Sequence, residues 1–364
     1  MEKKKRILII CPYPVNVAAG QRLKYEQYIA DWEANGYKVD ISPYMRMPMW
    51  NIVHKSGYAF KKILYTIEGI FKRALDAFKL RRYDLVYVHM YVTPIGTSFF
   101  ERLYRALAKK MIFDLEDNRF LGASKETRGL AQMLRSIAKT SYLVKNSDHV
   151  ITSSPALNDF CLELNKKNKC TYISSSINTE RFVPKNNYTN DKKITIGWTG
   201  TFSSRPYLDL LRPVFIELKK QRDFKLLVIG NFEYSFPEMD IEMIQWSAEN
   251  EVEDLQKIDI GVYPLPTDSW VMGKSGLKAI QYMSFGLPCV STDVSTVQRF
   301  VRNNVNGFLV TTEEEWVATL INLIDDPGTR KRVGENARKT VLEKFSTDVV
   351  KKQYLAVLES TISV

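Results

Sequence analysis

The chain has 364 residues, 45% hydrophobic and 26% charged, the profile of a soluble globular protein long enough for two domains. Its four cysteines (Cys11, Cys161, Cys170, Cys289) show no metal-ligand spacing, and no run nears the ~20 apolar residues of a membrane span, which argues against a zinc module, a disulfide framework and an integral membrane protein. The net charge of +11 is uneven: residues 1–190 hold 31 Lys/Arg against 17 Asp/Glu, and residues 191–364 hold 21 against 24, so a +14 half precedes a −3 half. A basic half suggests an anionic partner, and charge alone leaves membrane surface, lipid diphosphate, nucleic acid and plain solubility open.

Strand and helix signals alternate along the chain, which predicts a parallel α/β sheet organisation. MEKKKRILII has a basic start, but its apolar run is short and ends at Pro12-Tyr-Pro14, so it reads as a first strand (6–11) rather than a signal peptide. The loop VNVAAGQR leads into a helix expected over about 21–35, with Gly20 able to bring backbone close to a ligand and Arg22 and Lys24 at the helix start. The glycine triplet of a dinucleotide fingerprint is absent. A strand over 36–42 precedes PYMRMPMW, expected as an exposed loop of Met and aromatics. Residues 53–82 then interleave eight Lys/Arg with Phe60, Ile63, Leu64, Ile67, Ile70, Phe71, Leu75 and Phe78 at helical spacing. That mixture suits an interfacial membrane helix or a helix whose apolar face covers the sheet, and the adjoining Met-rich loop favours membrane contact.

Strands follow at 83–89, 111–117 and 148–154, with a helix from Pro155 and a further strand at 171–174. His89 ends the third strand, where open α/β sheets place ligands; His54 and His149 lie elsewhere. PKNNYTNDKK (184–193) reads as a linker, and Ile194–Gly200 opens a second alternating half with strands at 225–230 and 258–265 and a helix over 251–257. In DSWVMGKSGLKAIQYMSFGLPCV (268–290), Ser275 is the expected N-cap of a helix from Gly276 that Gly286 and Pro288 end. Lys274, Ser275 and Lys278 would then gather at a helix N-terminus whose first N–H groups lack internal partners, an anion site best suited to phosphate.

This stretch resembles the nucleotide-sugar signature of retaining GT-B glycosyltransferases of family 4. Gln281-Tyr282-Met283-Ser284-Phe285-Gly286-Leu287-Pro288-Cys289 stands where the family has a run like E-A-M-A-x-G-x-P-V. Asp84, Val86 and His89 match its D-x-V-x-x-H strand end, PYP…R its first loop, Val150-Ile151-x-x-Ser154 a later strand, and INTERFVP its exit from the first domain. The likeness runs through nearly the whole chain and is strongest over 194–345.

The resemblance implies an α/β GT-B fold of two Rossmann-like domains facing a central cleft. These are 1–187, an acceptor-side domain on which a C-terminal helix (347–364) packs back, and 188–346, a nucleotide-sugar domain. It implies a metal-independent, retaining hexosyl transfer with a nucleotide-diphosphate sugar as donor substrate and no cofactor. His89 and Lys274 are the implied catalytic residues. Gly200, Thr201, Arg205, Lys274, Ser275, Gly276, Leu277, Lys278 and Gln281 would bind the donor, and Gly20 and Arg22 would lie on the acceptor side. The family's two glutamates, eight positions apart, are here Gly273 and Gln281, and its Arg and Lys after the domain-two glycine reduce to Arg205. Those departures keep an inactive nucleotide-binding scaffold in view, and the shared plan keeps a nucleotide-sugar epimerase. The acidic cluster Asp114, Glu116, Asp117 is expected to cap the following helix rather than to hold a metal. The expected partners are a nucleotide sugar, a lipid-diphosphate acceptor of surface-polysaccharide assembly and an anionic membrane surface, with no nucleic acid. The expected location is cytoplasmic, on the inner face of the membrane.

Overall fold

The computed structural model describes residues 4–53, 55–94, 97–116, 137–184, 188, 192–267, 271 and 273–363. The chain divides into two compact units, Met1–Ser175 with Met272–Ser275 and Val350–Val364, and Ser176–Val271 with Gly276–Val349. Most of the expected linker, and Asp117, lie outside the described residues.

In unit 1, β1 (Lys5–Cys11), β2 (Tyr37–Pro43), β3 (Leu85–His89), β4 (Met111–Leu115), β5 (His149–Thr152) and β6 (Cys170–Tyr172) form a parallel sheet in the order β2-β1-β3-β4-β5-β6. Buried on both faces, β1, β3 and β4 carry near-continuous apolar runs, as the strands of a parallel sheet covered on both sides must. One covering layer includes the last helix, Thr347–Ile362, whose Val350, Tyr354, Val357 and Leu358 pack with Tyr28, Trp32 and Tyr87. Unit 2 repeats the plan with β7 (Thr195–Gly200), β8 (Lys225–Gly230), β9 (Ile241–Gln245), β10 (Ile260–Tyr263), β11 (Cys289–Thr292) and β12 (Phe308–Val310), ordered β12-β11-β10-β7-β8-β9.

Two local expectations are corrected, and one is met. The helix expected over 21–35 is broken into α1 (Ala19–Arg22), a 3-10 turn at Glu26–Tyr28 and α2 (Ile29–Ala34). The break places Lys24 and Tyr25 fully inside, and their burial overrides a continuous helix. PYMRMPMW is not an exposed loop: it contains α3 (Met47–Trp50), and Tyr44, Met45 and Met49 form a small core with Tyr65 and Ile70. The stretch 53–82 forms α4 (Ala59–Ala77), with its apolar face outward. The edge strand β9 has no counterpart in the sequence reading, because its half-exposed residues carry little apolar signal.

Candidate functional site

At the C-terminal edge of the unit 1 sheet, His89 is the last residue of β3, and Met90 turns the chain with φ 64°. The His89 ring is fully buried. Its Nδ1 lies 3.1 Å from Asp114 Oδ2 and its Nε2 3.5 Å from Glu116 Oε2, while the Tyr25 ring packs against it at 5.2 Å. Asp114 also pairs with the buried Lys24 ammonium and accepts from Tyr87 OH at 2.6 Å. Burial pushes the Asp114 carboxyl up, but the charges of Lys24 and His89 prevail and hold it at about 2. Burial likewise works against a charged imidazole, yet bonds to Asp114 and Glu116 raise the His89 pKa above its ordinary value. Both acidic side chains that were expected to cap a helix instead clamp His89. Gly20 is needed for close approach, and what approaches is Glu116: a Cβ on Gly20 would collide with its carboxylate. Arg22, in α1, is buried.

In unit 2 the edge is built around β7 and the helix Leu277–Ser284. Gly276 occupies the N-cap with φ 77°, and Ser275 makes no cap, which corrects the expected N-cap. The left-handed turn needs a residue without Cβ, and a Cβ at Gly276 would sit 2.7 Å from the Phe300 ring. Lys274 and Ser275 belong by their contacts to unit 1, where Ser153 Oγ donates to the Gly273 carbonyl at 3.1 Å. Leu277 opens the helix. Lys278 reaches back to β7: its ammonium sits 4.4 Å over the Trp198 ring, donates to Ser204 Oγ at 2.9 Å and lies against Gly200. Thr201 is exposed and caps the 3-10 turn Phe202–Ser204, and Arg205, half-buried, stacks on Phe202 at 5.3 Å. On the next turn, Tyr282 OH accepts from the Thr199 N–H at 2.8 Å and ties the helix to β7.

Gln281 is buried, and its Nε2 donates to Glu251 Oε1 at 3.3 Å; Trp246 Nε1 approaches the same oxygen at 3.4 Å. With its amide nitrogen so committed, Gln281 directs Oε1 as the acceptor.

Residues 179–340 match the family model of glycosyl transferases group 1. The matched segment covers most of unit 2 and contains the whole Gly200–Lys278–Gln281 arrangement. A capsular polysaccharide biosynthesis glycosyltransferase, CapM of Staphylococcus aureus, is 26% identical over 211 residues, 51% of this chain and 54% of that protein. The chain thus spans about half the length of the curated relative it matches. Among solved structures, a sucrose-phosphate synthase from Thermosynechococcus elongatus aligns with a TM-score of 0.72 at 16% identity, over 99% of this chain and 100% of that one. HepE of Anabaena, solved in complex with UDP-glucose, aligns at 0.66 and 12% identity, over 98% and 99%. The two parallel six-stranded sheets are those of the GT-B fold.

Three residues of these arrangements escaped the sequence reading. Glu116 was visible only as part of an acidic cluster, and Glu251 only as a residue of a short helix; nothing local links it to Gln281, 30 residues on. Arg299, at the end of the helix Ser295–Gln298, brings Nη2 within 3.8 Å of where a Gly276 Cβ would stand.

Proposed function

We propose that the chain is a retaining, metal-independent glycosyltransferase that moves a hexosyl group from a nucleoside diphosphate sugar to a lipid-linked acceptor in surface-polysaccharide assembly, at the cytoplasmic face of a membrane. The observation that carries this reading is the cationic group at the edge of unit 2: Lys278 beside Gly200, Arg205 one turn beyond, and Arg299 at Gly276. Departure of a nucleoside diphosphate needs positive charge and N–H dipoles where negative charge develops, and these residues with the Leu277 N–H supply both. Lys274, three residues before Leu277 in the sequence, is assigned the same task.

Thr201 and Ser275 contribute hydroxyls near the phosphates in this scheme. Gln281 accepts from a ribose hydroxyl through Oε1, and Glu251 returns to its side the carboxylate that the family carries on the helix itself. One structure of the same fold was solved with UDP-glucose, which favours a donor of that class. In the retaining reaction the bond from the sugar C1 to the diphosphate oxygen breaks, its electron pair leaving with the diphosphate. The acceptor oxygen attacks the same face, and its proton passes to the phosphate oxygen just released. His89 positions Glu116 beside Gly20, with Arg22 on the same acceptor side of unit 1.

The test is a screen of nucleotide sugars by mass spectrometry, with wild type and Lys278→Ala, with and without a lipid phosphate acceptor. Transfer with retained anomeric configuration, lost in the variant, is expected. Donor bound but not consumed would leave a nucleotide-binding scaffold, and an isomerised sugar without acceptor would make it an epimerase.

A further inference from the structure

The helix α4 sits in its unit the wrong way round for a core helix. Its outward side carries Phe60, Ile63, Leu64, Ile67, Phe71 and Leu75, and Phe78 follows at its C-cap; their exposures run from 46% at Leu75 to 84% at Phe78. The inward side sets Arg73 and Asp76 among Tyr65, Gly69, Ile70 and Ala77 and is tightly held. Arg73 is fully buried, with Nη2 donating to the Cys11 carbonyl at 2.9 Å, Nε to the Val92 carbonyl at 2.8 Å and Nη1 to Ser42 Oγ at 2.9 Å. Tyr104 OH donates to the Arg73 carbonyl, Tyr44 OH to the Thr66 carbonyl, and Gly69 lies flat on the Tyr44 ring. These bonds fix the rotation of α4, because rolling the apolar face inward would take Arg73 away from the Cys11 and Val92 carbonyls and break both bonds.

The exposed face continues past the helix. Phe99, at the start of α5 (Phe99–Leu107), is 61% exposed. Between α4 and α5 a groove of about 520 Å³ is lined by Ala74, Phe78, Phe99, Leu103 and Leu107, with Arg81 on it. A patch of this size on a single unit calls for an occupant.

Charge selects it. Lys55 and Lys61 stand exposed at the N-terminal end, and Lys79, Arg81 and Arg82 at the C-terminal end. Across 55–82 the acidic residues are Glu68, which pairs with Arg46 at 2.5 Å, and Asp76, which faces inward to Arg73. A second copy of this face would set like charges opposite each other, whereas anionic headgroups complement them. At 1.5 Å rise per residue, the 19 residues of α4 present an apolar stripe about 28 Å long. Among the described residues no helix is long and apolar enough to cross a membrane, so α4 would lie along one.

We propose that the outward face of α4, with Phe78 and Phe99, lies in the headgroup–acyl boundary of an anionic bilayer, its two basic ends on lipid phosphates. The groove toward α5 then opens on the bilayer and takes a hydrocarbon chain, with Arg81 at its phosphate. This extends the lipid-acceptor reading and rests on it for its purpose alone.

The test is sedimentation of the full chain with phosphatidylcholine vesicles, with and without phosphatidylglycerol, at low and high salt, for wild type, Phe71→Glu and the triple variant Lys79→Gln, Arg81→Gln, Arg82→Gln. Wild type should sediment with anionic vesicles and release at high salt. Phe71→Glu, on an exposed position, should lower partitioning about tenfold or more, and each lost basic charge about fivefold. Nucleotide release from the donor without vesicles should be equal in wild type and Phe71→Glu. Wild type that stays in the supernatant with anionic vesicles overturns the proposal. So does a lipid-free dimer that Phe71→Glu dissociates, which would make the face a self-interface. An inactive wild type that still sediments overturns the transfer reading and supports the docking surface.

Discussion

Lys24→Met is the sharpest probe of the unit 1 arrangement. The Lys24 ammonium and the Asp114 carboxylate pair with both side chains fully buried. Removing one partner of such a pair strands the other charge, at a typical cost of about 3–5 kcal/mol. Asp114 keeps the Tyr87 hydroxyl at 2.6 Å and His89 at 3.1 Å, so the lower end, about 3 kcal/mol, is expected. At urea slopes of ~1–3 kcal/mol/M this moves the unfolding midpoint of unit 1 down by about 1–3 M. Hydrogen exchange in graded urea, followed by mass spectrometry on peptides from β1, β3 and β4, isolates unit 1 from unit 2. Asp114→Asn alone should also destabilise, because it strands Lys24. The double variant should cost clearly less than the sum of the two. A loss under about 1 kcal/mol for Lys24→Met, or strict additivity in the double variant, would refute the account of a stranded charge.

Unit 1 should have a bounded pH range of stability. The raised His89 pKa contributes stability that is complete below its ordinary value of 6.5 and is lost as pH rises through the raised one. Asp114 contributes above its ordinary 3.8 and loses that contribution as pH falls toward about 2. Urea midpoints should therefore fall as pH rises through the raised His89 pKa and as it drops below 3.8 through Asp114, while His149, which burial holds down at about 4, adds a loss between 6.5 and about 4; His89→Gln should flatten the alkaline side. Lys278→Ala should lower kcat/KM by about 100–1000-fold with little change in unfolding midpoint, read in parallel transfer and denaturation assays. Gly276→Ala forces a Cβ onto Phe300 at a φ of 77° and should cost unit 2 about 2 kcal/mol by hydrogen exchange. Turnover should be unchanged by a metal chelator, since the leaving charge is assigned to Lys278, Arg205 and Arg299.

The α/β class and the two-half plan were legible because parallel strands buried on both faces carry apolar runs, such as Ile7–Cys11 and Leu85–His89, that local reading detects. Gly276, Lys278 and Gln281 were legible because one helix carries them within a few residues. What stayed hidden was set by contacts distant in sequence. Lys24 and Asp114 meet across 90 positions, and Gln281 and Glu251 across 30. The N-cap was misplaced by one residue because Ser275 has the right chemistry, whereas the left-handed turn falls on Gly276. The direction of the α4 face could not be read from its periodicity, which says that a helix has two sides and not which is inward. Arg73, reaching the carbonyls of Cys11 and Val92, decides that.

The last helix has a consequence for how the protein is made. Val350, Tyr354, Val357 and Leu358 close a core that also includes Ile7, Tyr28, Trp32 and Tyr87 from the first quarter of the chain. During synthesis these early strands emerge long before the side chains that cover them. At ~5–20 residues per second, the roughly 175 residues between Ser175 and Val350 take about 10–40 s to appear. For that interval, in which unit 2 is made, an aromatic face built on Trp32 and Tyr87 stands open. The first unit to be made is therefore the last to be finished. A nascent chain stalled before residue 347 should be held by chaperones through its N-terminal unit.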